Sequence, residues 1–210
     1  MIRKNGDGDE WISIGDFMAG IVGVLVLFFV IAVLITSVSK AEAEEKKNQG
    51  LQGMMQALSN LVSENNLKGV EVLEAQGVLR LKDVSFAKGS ACLDSRINAV
   101  FQKEISPFIA ASLAKDGLLS IQIEGHTDAQ PISAGFASDG RSTCAPFDDN
   151  YTLSAGRARE ARKALLNDIE DQQIQKRISV VGYGADRLLN SQQPNSNENR
   201  RVEVRFLHFS

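Results

Sequence analysis

The chain has little of what builds a metal centre or a disulfide scaffold: two cysteines, Cys92 and Cys144, and two histidines, His126 and His208, in 210 residues. The cysteines stand far apart without C-x-x-C spacing, which excludes a zinc ribbon and leaves one disulfide or two free thiols. Proline is scarce too, at 4, while 43% of residues are hydrophobic and 23% charged; this is the composition of a folded chain. Excess positive charge is also missing. With a formal net charge of -3 no general field attracts polyanions, so nucleic acid is not expected as a partner. No nucleophile elbow, phosphate loop or metal-ligand spacing surrounds His126 or His208, and neither catalysis, a metal nor an organic cofactor is expected. Glu124 and Asp128 could suggest paired glycosidase carboxylates, but Glu124 falls on a strand in a different environment. The length allows one ordinary domain and something more.

That extra part is an apolar run. Residues 17–36 read FMAGIVGVLVLFFVIAVLIT with no charge, and a helix of that length, at about 1.5 Å per residue, matches a bilayer core about 30 Å thick. A cleaved signal peptide is the competing reading, since Ala41-Glu42-Ala43 has small-x-small spacing. The run, however, exceeds the roughly 7–15 residues of a signal core, and Asp7, Asp9 and Glu10 precede it. A retained anchor is expected. Arg3 and Lys4 before the span are matched by Lys40, Lys46 and Lys47 after it, so charge does not decide the orientation.

Asp16 stands at the mouth of the span, after Trp11-Ile12-Ser13-Ile14-Gly15. It has two readings. As a helix cap it would accept hydrogen bonds from free N–H groups at the positive end of the dipole. Alternatively, Trp11, Ile12 and Ile14 already occupy the interface, which puts Asp16 inside the membrane boundary, where ionisable groups mark ion paths. A membrane potential supplies about 2.3 kcal/mol per elementary charge per 100 mV, enough to bias a two-state element.

Residues 37–69 are polar and helix-prone, with Leu51, Met54 or Met55, Leu58, Leu61 and Val62 forming one apolar stripe at heptad-like intervals. Gly50, Gly53 and the short length exclude a long coiled coil. The stripe fits an amphipathic helix lying on the globular domain, or a dimer seam or plug.

From Val70 the pattern predicts an α+β sandwich, two helices on a small mixed sheet. Strands are expected at 70–73, 78–81, 118–124, 178–183 and 202–209, with a third extended piece at 84–86. Helices are expected at 94–115, stopped by Gly117, and at 153–169. Three polar clusters sit at element ends: Gly125-His126-Thr127-Asp128, Asn150-Tyr151-Thr152-Leu153-Ser154-Ala155-Gly156-Arg157-Ala158, and Asn199-Arg200-Arg201.

Two resemblances follow from these motifs. The Trp-Ile-Ser-x-x-Asp-Phe-Met stretch before a single span, over the first 36 residues, resembles the MotB family of stator subunits and its ZorB relatives. It implies that Asp16 takes up a translocated ion, with the proton expected. The three clusters, across most of 70–209, resemble the OmpA-like peptidoglycan-binding domain. There the strand-end Asp and the helix Arg, here Asp128 and Arg157, bind the zwitterionic end of diaminopimelate in the stem peptide. Asp128 suits the ammonium and the planar fork of Arg157 the carboxylate. Thr127, Asn150, Arg200 and Arg201 would add hydrogen bonds, with the choice between the two arginines open. The chain departs from many members in Asp128-Ala129-Gln130-Pro131 and in a loop at 133–149 that contains Cys144. Closing Cys92 to Cys144 would tie down that loop, stabilise by about 4 kcal/mol and require an oxidising compartment.

Together the resemblances imply a short cytoplasmic tail (1–16), a span (17–36), a helical linker (37–69) and a periplasmic wall-binding domain (70–210) on the inner membrane. The partners implied are peptidoglycan and a multispan MotA- or ZorA-like subunit, five copies around a dimer of this chain. The output expected is ZorB-like anti-phage defence, with a flagellar MotB-like stator or a passive tether as alternatives.

Overall fold

The computed structural model describes residues 7–86, 90–132, 147–167 and 169–208, without the side chains of 7–14 and 47. It divides into two units, Met1–Gln49 and Gly50–Ser210.

Helix α1 (Asp7–Glu64) begins before the apolar run and holds it entire. It is long and apolar enough to cross a membrane, with a mean hydropathy of 3.1 in its most apolar window. None of that window is buried: Phe17 and Phe29 are each 69% exposed and Leu25 61%. So continuous an apolar surface needs lipid or partner helices to cover it. Where polar residues follow, Thr36, Ser37 and Ser39 donate their hydroxyls to the carbonyls of Ala32, Val33 and Ile35 at 2.6, 2.8 and 2.8 Å, the internal satisfaction an apolar setting demands.

In the second unit the strands β1 (Val70–Leu73), β2 (Val78–Lys82), β3 (Leu119–His126), β4 (Ile178–Gly182) and β5 (Arg201–His208) form one mixed sheet in the order β1-β2-β5-β3-β4. Only β3 and β4 run parallel, because α4 (Asn150–Leu165) and the short α5 (Gln172–Lys176) carry the chain back between them. Period-2 alternation sends Leu119, Ile121 and Ile123 of β3 and Val202, Val204 and Phe206 of β5 to the core, under the helices. The expected α+β class is the observed one.

Asp94 caps α2 (Ser95–Val100) by accepting from the Arg96 and Ile97 N–H groups. The expected long helix then runs through one π turn, Phe101–Ile105, into α3 (Ser106–Lys115), burying Ile97, Phe101, Ile105, Ile109 and Leu113. Pro107, with no N–H to give, is the second residue after that turn.

Three details differ from the sequence-based expectation. The piece 84–86 is not extended: Asp83–Ser85 is a 3₁₀ turn and only Phe86 bridges, to Leu93. Helix α4 begins at Asn150, not Leu153, because Asp149 and Thr152 form a capping box. It ends at Leu165, short of the expected 169. The stripe at 51–62 packs on the domain itself, with Met55, Leu58 and Val62 buried in the core and Leu51 and Met54 against it.

Candidate functional site

The glycine of the first motif lets the helix carrying the second approach. A Cβ on Gly125 would fall 1.9 Å from the Ser154 carbonyl oxygen, and one on Gly182, its partner across β3 and β4, 2.8 Å from Ala155. The second turn of α4 is thereby pressed onto the C-terminal ends of β3 and β4. Ser154 is no cap: its hydroxyl donates to the Tyr151 carbonyl at 2.9 Å and accepts from the Gly184 N–H at 3.0 Å.

Beyond β3 the chain turns sharply. Thr127 N–H donates to the Gly184 carbonyl and Ala129 N–H to that of Pro194, while Asp128 Oδ1 accepts from the Gln130 N–H at 3.3 Å. Asn150 donates to the carbonyls of Asp128 and Gln130 at 3.3 and 3.0 Å, so it shapes the loop and its amide nitrogen points inward. Thr127 is buried and its hydroxyl makes no hydrogen bond.

The charged groups form a linked quartet. Arg200 donates from Nη1 to Asp128 Oδ2 at 2.6 Å and from Nη2 to Asp83 Oδ2 at 2.9 Å. Asp83 Oδ1 in turn stands 3.3 Å from Nη1 of Arg157. Arg157 is only 3% exposed; its Nε donates to the Ser90 carbonyl at 3.2 Å and its guanidinium lies 5.1 Å from the centre of the Phe86 ring. The contact with Asp83 is an ion pair without hydrogen-bond alignment, which leaves Nη1 a buried donor with no acceptor. Burial lowers the pKa of Arg157, with Arg200 adding to the effect and Asp83 opposing it. Arg200 is raised, first by its hydrogen bond to Asp83.

Arg201 points elsewhere. It donates to Glu203 Oε1 at 2.7 Å and to the carbonyls of Asn199 and Arg187 at 3.1 and 3.2 Å, on the helix-free face of the sheet. There Arg80 and Arg205 also reach Glu203, and Arg205 reaches Glu124. His126 closes the row, 1% exposed, stacked on Tyr183 with ring centroids 5.4 Å apart and neither ring nitrogen hydrogen-bonded. Glu124, His126 and Glu203 could together hold a cation by distance. Arg80, Arg201 and Arg205 already balance the two carboxylates, so a metal ion there would be repelled.

Of the residues expected at the site, Asp128, Arg157 and Arg200 come together, Asn150 and Thr127 support the loop, and Arg201 belongs to the other face. Asp83 is the residue that motif reasoning missed; its one signal was an acidic group at a strand end just before Phe86. Cys144 lies outside the described residues, and the Cys92–Cys144 pairing with it. Asp16 is in the first unit, about two and a half turns beyond the start of α1.

A small mixed sheet backed by helices, with an acid at a strand end and an arginine from the facing helix linked through Arg200 and Asp83, defines the class: an α+β domain with a charged site at the sheet's end. The chain belongs to the OmpA family, whose pattern it matches over residues 85–201. Its fold is similar to that of a MotB-like protein from Desulfovibrio vulgaris, at 23% identity and a TM-score of 0.56, covering 80% of this chain and 99% of that one. It is also similar to the cell wall anchor of the T6SS from Pseudomonas aeruginosa, at 21% identity and a TM-score of 0.50, covering 73% and 97%. No curated protein matches the chain. The family and the structures of similar fold are non-enzymatic.

Proposed function

We propose that this protein is the peptidoglycan-anchored, single-pass subunit of a proton-driven rotary motor of MotAB/ZorAB type, with ZorB-like phage defence as its output. It sits in the inner membrane, N-terminus in the cytoplasm and OmpA-like domain in the periplasm. The wall is gripped at the free zwitterionic end of diaminopimelate, the ammonium on Asp128 and the carboxylate on Arg157. In the periplasm Cys92 and Cys144 are bonded. One span cannot enclose a conduit, so a multispan MotA- or ZorA-like partner, five copies around a dimer, completes it.

The observation that carries the motor reading is the place of Asp16 inside α1. Interior N–H groups of a helix are already bonded, so this carboxylate has no capping role, and it adjoins the exposed apolar run. The test is Asp16→Asn in the full chain with its partner, scored separately for membrane insertion, binding to isolated sacculi and ion-driven output. Output should vanish while insertion and wall binding persist. Unchanged output would leave a passive tether to the wall; a cell wall anchor of the T6SS has a similar fold.

A further inference from the structure

Every charge offered to a zwitterion at this site is already taken by a group of the protein. Asp128 is held by Arg200 at 2.6 Å, and Arg157 has Asp83 beside it at 3.3 Å. Arg200 and Asp83 touch each other at 2.9 Å, so the four groups form a closed and neutral set. The two links differ in quality. Arg200 is hydrogen-bonded to both acids, whereas Arg157 Nη1 finds no aligned acceptor although it is buried.

We propose that Asp83 is a specificity residue that occupies the place of the ligand's carboxylate, and that binding is an exchange of ion pairs. This rests on the wall-binding reading. The incoming ammonium replaces Arg200 on Asp128, the incoming carboxylate replaces Asp83 on Arg157, and the two displaced groups keep the contact they already have. All charges remain paired before and after. A ligand with only one of the charges breaks this balance: an amine alone leaves Arg200 and Arg157 sharing Asp83, one positive charge in excess, and a carboxylate alone leaves Asp83 and Asp128 sharing Arg200, one negative charge in excess. The site thus rejects simple amines and simple acids and accepts a carbon bearing both. Room for the displaced side chain exists, since Asp83 also lines a cleft of about 400 Å³ with Glu71, Lys82, Val84, Leu189 and Glu198, in which Lys82 is already paired with Glu71 at 3.1 Å.

The experiment is calorimetric titration of the full-length protein in nanodiscs with meso-diaminopimelate, pimelate (acids only) and cadaverine (amines only). Wild type should bind meso-diaminopimelate and neither analogue. Asp83→Asn should bind meso-diaminopimelate more tightly, by roughly two- to fivefold as expected for loss of a partly exposed competing ion pair, and should gain binding of pimelate. Arg200→Gln should gain binding of cadaverine, an independent arm should the first variant fold poorly. Weaker binding of meso-diaminopimelate by Asp83→Asn would make Asp83 a support that positions Arg157, and unchanged charge selectivity in both variants would equally overturn the exchange. Failure of the wild type to bind either meso-diaminopimelate or sacculi would remove the wall-binding reading itself, a separate result.

Discussion

Arg200 and Arg201 are neighbours in the chain and serve opposite faces of the sheet, because consecutive positions entering a strand point to opposite sides. Arg200 meets Asp128 and Asp83; Arg201, 4% exposed, meets Glu203, also 4% exposed. Glu203 would keep Arg80 and Arg205 if Arg201 were removed, while the Asn199 and Arg187 carbonyls would lose their donor. Arg201→Met should therefore cost about 1–3 kcal/mol in chemical denaturation while the ligand site stays intact, as sacculus binding of the folded variant would show. Arg157→Lys is the converse case. It keeps a charge but loses the fork and the Nε that binds the Ser90 carbonyl, so sacculus binding should fall at least about tenfold with little loss of fold. The motifs made Asp128 and Arg157 legible in the sequence because each has a fixed offset from a strand end or helix start. Asp83 had no such offset; a 3₁₀ turn in a stretch that reads as extended delivers it.

At the scale of elements, the apolar stripe at 51–62 illustrates what periodicity can and cannot decide. Spacing identified the stripe, but the surface it covers depends on how much of the sheet's apolar face the other helices leave open, and that is a tertiary property. Met55 and Leu58 are fully buried in the same core as Ile109 and Val204. Leu58→Ala should lower the stability of the second unit by about 2–5 kcal/mol. A fragment beginning at residue 70 should melt well below one beginning at residue 50, and equal melting temperatures would show the stripe to be dispensable. Helix α4 makes a second case. Its start was misplaced from sequence because apolar periodicity begins later than the Asp149 and Thr152 cap, and its seat depends on two paired glycines. With Ser154 carbonyl oxygen 1.9 Å from where a Cβ would stand, Gly125→Ala forces the helix off the sheet. It should cost several kcal/mol by the overpacking rule, more than Leu58→Ala, and abolish sacculus binding as Arg157 shifts.

Across the molecule as a whole, the first unit exposes apolar surface and the second carries an ionic row on the helix-free face of its sheet. The row crosses β2, β5 and β3 through Arg80, Glu203, Arg201, Arg205, Glu124 and His126. Burial, with the charge of Arg201, holds His126 below its ordinary value of 6.5, against the pull of Glu124 and Glu203. In Glu203 burial works upward but is outweighed by the hydrogen bond and charge of Arg201, so its carboxyl stays below 4.5; Glu124 is likewise lowered, through His126 and Arg205. Both kinds of shift act in one direction. A histidine kept neutral when folded costs stability once the unfolded chain can protonate it, so the loss begins as pH falls through 6.5. The depressed carboxyls contribute stability that is complete above 4.5 and disappears as pH falls through their folded values. Thermal melting of the domain should therefore be level above about pH 7.5, decline from 6.5 downward and decline more steeply below 4.5. His126→Gln should remove the upper part of the decline and leave the lower. A melting temperature that holds steady between pH 7 and pH 5 in the native chain would mean that His126 keeps its ordinary proton affinity, and that its stacking on Tyr183 does not exclude water from the ring.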